Sequence, residues 1–397
     1  MPVSHRFLLL AVANIAISAC GHAESRSKDA DRYSSDIEDI STGRASQVEK
    51  AFSDILLSRG VLAAGAAVIR NGELVWTGYF GEQSPGTPAS KHTMFNVASI
   101  TKTVAAETIL RLAAVEKLSL DESMASYWVD PDIVDDPRHA ALTPRVALTH
   151  TTGFLNWRFF SPDRKLRLVS DPGEKFGYSG EGFAYLARYA ERKLGRDFES
   201  LAKQYVFEPN GMANVSMRAR GELFDRIAVI TNAKGTYKPF CRPSGWCAPE
   251  GTFGAADDMV VTVEDYAAFL IGTMKAQGLT PALAADRERI QAPLDEDFDA
   301  HCRERKRCPR AQGYGLGWEV ADFGDNKLIG HGGNDWAEVA LAYYYTRSRD
   351  GLIIFMSGEN AAALGAMAEA IALLDPDSVM VARYQRWQAA EIASKDR

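Results

Sequence analysis

Apolar positions recur at helical spacing over residues 47–59, and two runs with strand character follow at 62–69 and 74–79, with Asn71 and Gly72 between them. An Asn-Gly pair between two such runs predicts a tight hairpin, because both residues tolerate the left-handed dihedrals of a two-residue turn. A helix and an antiparallel pair therefore open the domain. Near the other end, 328–330, 338–345 and 352–357 predict three more strands, and 361–374 an apolar helix stopped by Asp375 and Pro376. Between these ends, over about 121–250, the pattern is helical and loop-rich, as at 182–194 and 198–206. The predicted fold is α/β: an antiparallel sheet flanked by N- and C-terminal helices, built from about 49–120 and 251–397, with the mostly helical stretch inserted.

The N-terminus modifies this picture. An apolar run over 7–19, preceded by His5 and Arg6, is too short to span a bilayer and reads as a signal peptide, residues 1–19. It ends in Ile17, Ser18, Ala19 and Cys20, which resembles the lipobox of bacterial lipoproteins, with Cys20 as the acylated anchor. A plain secretory cleavage near Ala23 is the alternative. Either way the chain is expected in the bacterial envelope, on the periplasmic side: lipid-anchored, with the outer membrane as the expected carrier, or free in the periplasm if unlipidated. Residues 20–48 are polar and read as a tether, leaving 49–397 for the folded domain.

The other four cysteines form two equally spaced pairs, Cys241 with Cys247 and Cys302 with Cys308. In an oxidising compartment two local disulfides are the simplest of the three connectivities. A four-cysteine zinc site would need closer gaps. The seven histidines are scattered without ligand spacing, so neither metal nor cofactor is expected. Removing the signal segment, which carries Arg6, takes the formal charge from −7 to −7 − 1 = −8, which disfavours nucleic acid as a partner. The basic run Arg303, Arg305, Lys306, Arg307 is local and reads as solvated loop or a substrate or envelope contact.

Candidate chemistry begins at Ser99, which opens a glycine- and proline-free helical stretch, 100–117, with Lys102 three residues on. A serine hydroxyl attacks only when a base takes its proton, and a lysine one turn away on the same helical face can do so. The Ser-x-x-Lys pattern is weak alone: it recurs at Ser25 to Lys28 in the tether, and Ser99 could equally be an ordinary helix cap. Its company is more specific. Tyr178 lies in a Gly-Tyr-Ser-Gly segment just before a helix, His331, Gly332 and Gly333 lie on a predicted strand before Asn334, and Leu148 to Gly153 reads Leu-Thr-His-Thr-Thr-Gly.

In order and approximate spacing these segments resemble the superfamily of class C β-lactamases, D-alanyl-D-alanine carboxypeptidases and family VIII esterases, over nearly all of 47–374. The resemblance implies that Ser99 is the nucleophile, Lys102 its base and Tyr178 a proton shuttle. It places His331 in the third motif and makes the backbone N–H groups of Ser99 and Asn334 the oxyanion hole. It puts His150, Thr151 and Thr152 behind the site. Gly332 and Gly333 suit a strand with a substrate beside it, where side chains would obstruct, and Trp157, Trp246, Tyr314 and Trp318 are candidate pocket residues, with burial in the core as their alternative. Gly180 departs from the pattern, since many members carry there an asparagine that binds a substrate amide; Glu181 or Asn334 would have to substitute. A histidine at 331, only partly cationic at neutral pH, would also hold a substrate carboxylate less firmly than lysine. The function expected is an exported serine hydrolase of small esters or related acyl compounds. The alternatives are a D-amino-acid peptidase, carboxypeptidase or β-lactamase, and a non-catalytic lipoprotein that binds cell-wall peptide. The Gly-x-Ser-x-Gly elbow of an α/β-hydrolase is missing: its nearest approach, Gly177 to Glu181, ends in glutamate.

Overall fold

The computed structural model describes residues 40, 44–232, 235–242, 244–294 and 308–395. Cys20, Cys302 and the basic run Arg303 to Arg307 lie outside the described residues, and with them the lipid anchor and the second disulfide.

Helix α1 (Ala45–Arg59) buries Val48, Phe52 and Leu56, spaced four apart, and ends where Gly60 adopts φ 69°, the left-handed conformation glycine enters freely. Strands β1 (Ala63–Arg70) and β2 (Glu73–Ser84) meet through Asn71 and Gly72, both at positive φ, the hairpin the dipeptide predicted. After β3 (Thr87–Pro88) come the helices α2 (Thr101–Ala114), α3 (Gly180–Leu194) and α4 (Val263–Met274). The chain then returns as β4 (Ala292–Pro293), β5 (Ala311–Tyr314), β6 (Glu319–Asp322), β7 (Lys327–Asn334), β8 (Glu338–Tyr345) and β9 (Gly351–Ser357). It ends in helices α5 (Asn360–Leu374) and α6 (Met380–Lys395).

These strands form one antiparallel sheet in the order β3-β2-β1-β9-β8-β7-β6-β5-β4, so the N-terminal hairpin closes onto the last strand. One face packs on α1, α5 and α6, with Phe52, Leu341, Ile354, Ile371 and Tyr384 in a shared core. The other packs on α2, α3 and α4 through Ala342, Ile353, Phe355, Val104, Phe183 and Phe269. Being covered on both faces, β8 and β9 are buried throughout and read as continuous apolar runs rather than alternations. Helix α2 is buried over twelve consecutive residues, Thr101 to Leu112, which makes it the central strut between sheet and helical region.

Two boundaries differ from expectation. The strand that the apolar run places at 328–330 and the motif extends over His331 to Gly333 takes in Asn334 as well, its register running His331 to Ala342, Gly333 to Ala340 and Asn334 to Val339. The stop at Asp375 and Pro376 is real, yet the chain restarts as α6 four residues later.

Candidate active site

Ser99 stands in a 3-10 turn, Ala98–Ile100, wedged between the extended pair Phe95–Asn96 with Val260–Val261 and the start of α2. Ala98 is held at φ 46°, a conformation that costs a non-glycine residue on the order of 1 kcal/mol and is kept only where the surroundings impose it. Here Asn96 imposes it: its Oδ1 accepts the Ala98 N–H at 2.9 Å while its Nδ2 donates to Asp258 Oδ1 at 3.2 Å. Ser99 does not cap α2, for no side chain caps that helix. Instead its Oγ accepts from Lys102 Nζ at 3.1 Å, and Nζ also donates to the Ala256 carbonyl at 2.8 Å. The cap alternative is thereby excluded.

Lys102 is buried, and its ammonium lies 4.8 Å from the centre of the Tyr178 ring. Loss of hydration drives its pKa from 10.5 down to about 7, against the pull of Asp257 and Asp335. Tyr178 is half-buried, with a hydroxyl hydrogen-bonded to Ser99; burial raises its pKa, so the phenol stays protonated at neutral pH. The two environments separate the roles: an amine that can be neutral at pH 7 beside a phenol that cannot be anionic.

His150 fixes Tyr178 from both sides. Its carbonyl accepts the Gly177 N–H at 2.8 Å and its Nδ1 accepts the Ser179 N–H at 3.1 Å, while its ring lies 4.4 Å from that of Tyr178. His331 is buried, and its Nδ1 must donate to the Gly332 carbonyl at 2.6 Å, which leaves Nε2 as an acceptor with no hydrogen-bond partner among the described residues. Burial, then the Lys102 charge, lower its pKa to about 3. The expectation of a partly cationic histidine is therefore corrected: at neutral pH the imidazole is uncharged and offers a substrate carboxylate no ionic contact.

Gly333 lets β7 approach the nucleophile turn, since a Cβ there would stand 2.4 Å from the Val97 carbonyl oxygen. This close fit sets Asn334, whose backbone continues the strand, beside Ser99. Both line one cavity of about 290 Å³, together with Phe176, Tyr178, Tyr314 and His331. That volume lies at the small end of ligand sites, about 300 to 1,000 Å³. A family model described as Beta-lactamase matches residues 45–374.

The chain belongs to the beta-lactamase family.

Among its relatives in the family, the chain is 25% identical over 276 residues to Esterase EstB of Burkholderia gladioli, an alignment covering 55% of this chain and 69% of that one. It is 23% identical over 295 residues to D-aminopeptidase of Brucella anthropi, covering 67% of this chain and 50% of the other. The solved hydrolase EstCE1, described as having promiscuous acyltransferase activity, superposes with a TM-score of 0.65 over 85% of this chain and 98% of its own, at 15% identity. The chain spans only 35% of the length of two fimbrial assembly proteins of Dichelobacter nodosus that it matches at 30% and 29% identity.

Several pocket expectations need correction within this beta-lactamase-family frame. Glu181 faces away: its carboxylate accepts the Arg158 N–H, Nε and Nη2 at 2.9, 3.0 and 2.9 Å, so it replaces no missing amide contact. The site of the missing side chain is filled by the protein itself, because a Cβ on Gly180 would stand 2.5 Å from the Trp157 ring; Trp157 does not line the cavity. Trp318 is fully buried in the core, donating to Glu107 and stacked on Phe269. Trp246 is 54% exposed. Gly332 does line the cavity, but Trp387 and Tyr384, not a substrate, occupy the space of its absent side chain. Cys241 and Cys247 are bonded as expected, and the loop they close sends Arg242 to Asp335, at 2.5 Å. Among the described residues no group of three His, Cys, Asp or Glu side chains is placed to hold a metal ion.

Sequence reasoning also missed residues. Asp257, whose charge interacts with that of Lys102, is pushed up to about 7 by burial and the Asp258 charge. Its carboxylate raises the Lys102 pKa, so Asp257→Asn should move the acid limb of the kcat/KM profile to lower pH, because more acid is then needed to protonate the amine. A limb that stays in place or moves up would show that Asp257 does not act on Lys102. Phe176, Leu294, Glu319, Arg383 and Trp387 complete the cavity wall; their only common feature is a place in the fold.

Proposed function

We propose that this chain is an exported serine hydrolase that acts on small esters or related acyl substrates through an acyl-enzyme on Ser99. The observation that carries the proposal is the buried Lys102 amine, 3.1 Å from Ser99 Oγ with a pKa near 7, in a family that includes esterases and amidases. Ser99 Oγ attacks the acyl carbon as its proton passes to Lys102 Nζ. The oxyanion is held by the backbone N–H groups of Ser99 and Asn334, donors worth several kcal/mol in such sites. Lys102 returns the proton through Tyr178 to the departing alkoxide oxygen. Water then attacks the acyl-enzyme with the same groups in reverse roles, releasing the acid and regenerating Ser99.

Ester preference is supported by what the site does not offer. Position 180 has no side chain for a substrate amide, Glu181 is committed to Arg158, and His331 is neutral. An activated ester needs only nucleophile, base and oxyanion donors. A fluorophosphonate should therefore modify Ser99, as read by peptide mass spectrometry, and kcat/KM for p-nitrophenyl acetate or butyrate should exceed that for penicillins, cephalosporins and D-alanyl-D-alanine peptides by at least about 1.4 kcal/mol, tenfold. An adduct on Ser179 moves the nucleophile assignment to that residue, and no adduct at all removes it and favours the non-catalytic, wall-binding alternative. A peptide or β-lactam preferred over the esters assigns peptidase or β-lactamase chemistry instead. The envelope location rests on the lipobox-like run before Cys20, and palmitate incorporation abolished by Cys20→Ser is its test.

A further inference from the structure

Helix α6 lies beyond the segment that matches the family, 45–374, and yet supplies two residues, Arg383 and Trp387, to the cavity that contains Ser99. The helix is firmly seated. Tyr384 is fully buried and its hydroxyl donates to the Ala340 carbonyl at 2.5 Å, and Trp387 packs on Tyr384, at 5.0 Å between rings, and over Gly332. Arg383 pairs with Glu319 of β6, with only 12% and 9% of the two side chains exposed. Glu319 is occupied on its other side, where Oε1 accepts from the Tyr314 hydroxyl at 3.0 Å. Its charge is thus answered within the wall, and one edge of the guanidinium is fixed in place. A guanidinium carries five donors in a planar fork, and Glu319 is the only partner of this one among the described residues. With His331 neutral, Arg383 is the only cation among the described residues lining the cavity.

We propose that Arg383 forms an anion subsite: it takes a carboxylate carried on the acyl part of the substrate, with the Trp387 ring flanking the methylenes between carboxylate and ester. The walled cavity holds the portion that stays on Ser99 in the acyl-enzyme, since the leaving group must depart to solvent. The preferred substrates are then half-esters of short dicarboxylic acids, and the anchor comes from α6 rather than from the third motif. This rests on the acyl-enzyme proposal for its substrate chemistry, but the subsite binds whether or not Ser99 turns over.

The test uses the full chain and two measurements. In the first, kcat/KM for p-nitrophenyl hemiglutarate is divided by that for p-nitrophenyl butyrate. The ratio should fall at least tenfold in Arg383→Met, mainly through KM, with a smaller fall in Arg383→Lys, which keeps a charge but loses the fork. The double variant Arg383→Met/Glu319→Gln, which leaves no buried carboxylate unpaired, should show the same fall as Arg383→Met. In the second, calorimetry follows glutarate binding to Ser99→Ala and to Ser99→Ala/Arg383→Met; binding should weaken at least tenfold when Arg383 is lost and weaken with added salt. A ratio unchanged in the double variant, or equal glutarate affinity with and without Arg383, overturns the subsite. Absence of turnover of both esters with Arg383-dependent glutarate binding intact would instead overturn the hydrolase proposal and leave the subsite standing.

Discussion

Ser99→Ala is expected to lower ester kcat/KM by at least about 10⁴-fold, about 5.5 kcal/mol of transition-state stabilisation, and to abolish fluorophosphonate labelling. The magnitude follows from the absence of a second route: without Oγ there is no covalent intermediate, and only the oxyanion donors and binding remain to act on water. The fold should be untouched. Ser99 is half-buried, its hydroxyl is not a helix cap, and its hydrogen bonds are with Lys102 and Tyr178, so thermal stability should stay within the range of an ordinary surface substitution, about 0.5 kcal/mol. Residual activity above a hundredth of wild type in a cleanly purified variant would mean that another nucleophile carries the reaction.

Lys102→Arg should cost at least about 10³-fold in acylation, about 4 kcal/mol, although it conserves charge. The amine acts as a base only when neutral, and burial makes that state accessible near pH 7; arginine cannot be deprotonated at all in this range. The pH dependence has a definite sign. Since the working form is the deprotonated one, wild-type kcat/KM should rise with pH through about 7 and be lost as pH falls below it. A permanently charged guanidinium in this enclosed place, against Tyr178 and Phe183, could also strain the fold. Lys102→Met separates the effects, because it keeps length and apolar packing while removing both charge and lone pair: it should be folded, at least as stable as wild type by thermal melting, and equally inactive. Either variant keeping more than about a tenth of the wild-type rate, a loss below about 1.4 kcal/mol, would end the base assignment.

The sequence by itself was enough for the parts of this protein that are written locally. The hairpin at Asn71 and Gly72, the buried strands of 338–345 and 352–357 and the helices beside them are dictated by dihedral tolerance and apolar period. Ser99 and Lys102 are neighbours because one helical turn makes them so. Tyr178 and His331 were picked out by motif, and the fold does bring them around the same cavity.

What the tertiary structure decided are the properties that depend on distant segments meeting. Burial among segments that meet only in the fold, Tyr178 and Tyr314 beside its ring, together with the Lys102 charge makes His331 neutral; dehydration likewise brings Lys102 to a working pKa. Trp157 fills the place of the missing side chain at Gly180, and Arg158 claims Glu181, so neither could be judged from the motif that contains them. Helix α6 carries no catalytic signature, because an arginine and a tryptophan four residues apart are ordinary on any helix. They become pocket residues only through the seating of Tyr384 under Ala340 and of Trp387 on Gly332. Local sequence sets which groups stand one turn or one strand register apart, but the charge state and partners of a group are set by the dielectric and neighbours around it, and those exist only once the chain has folded.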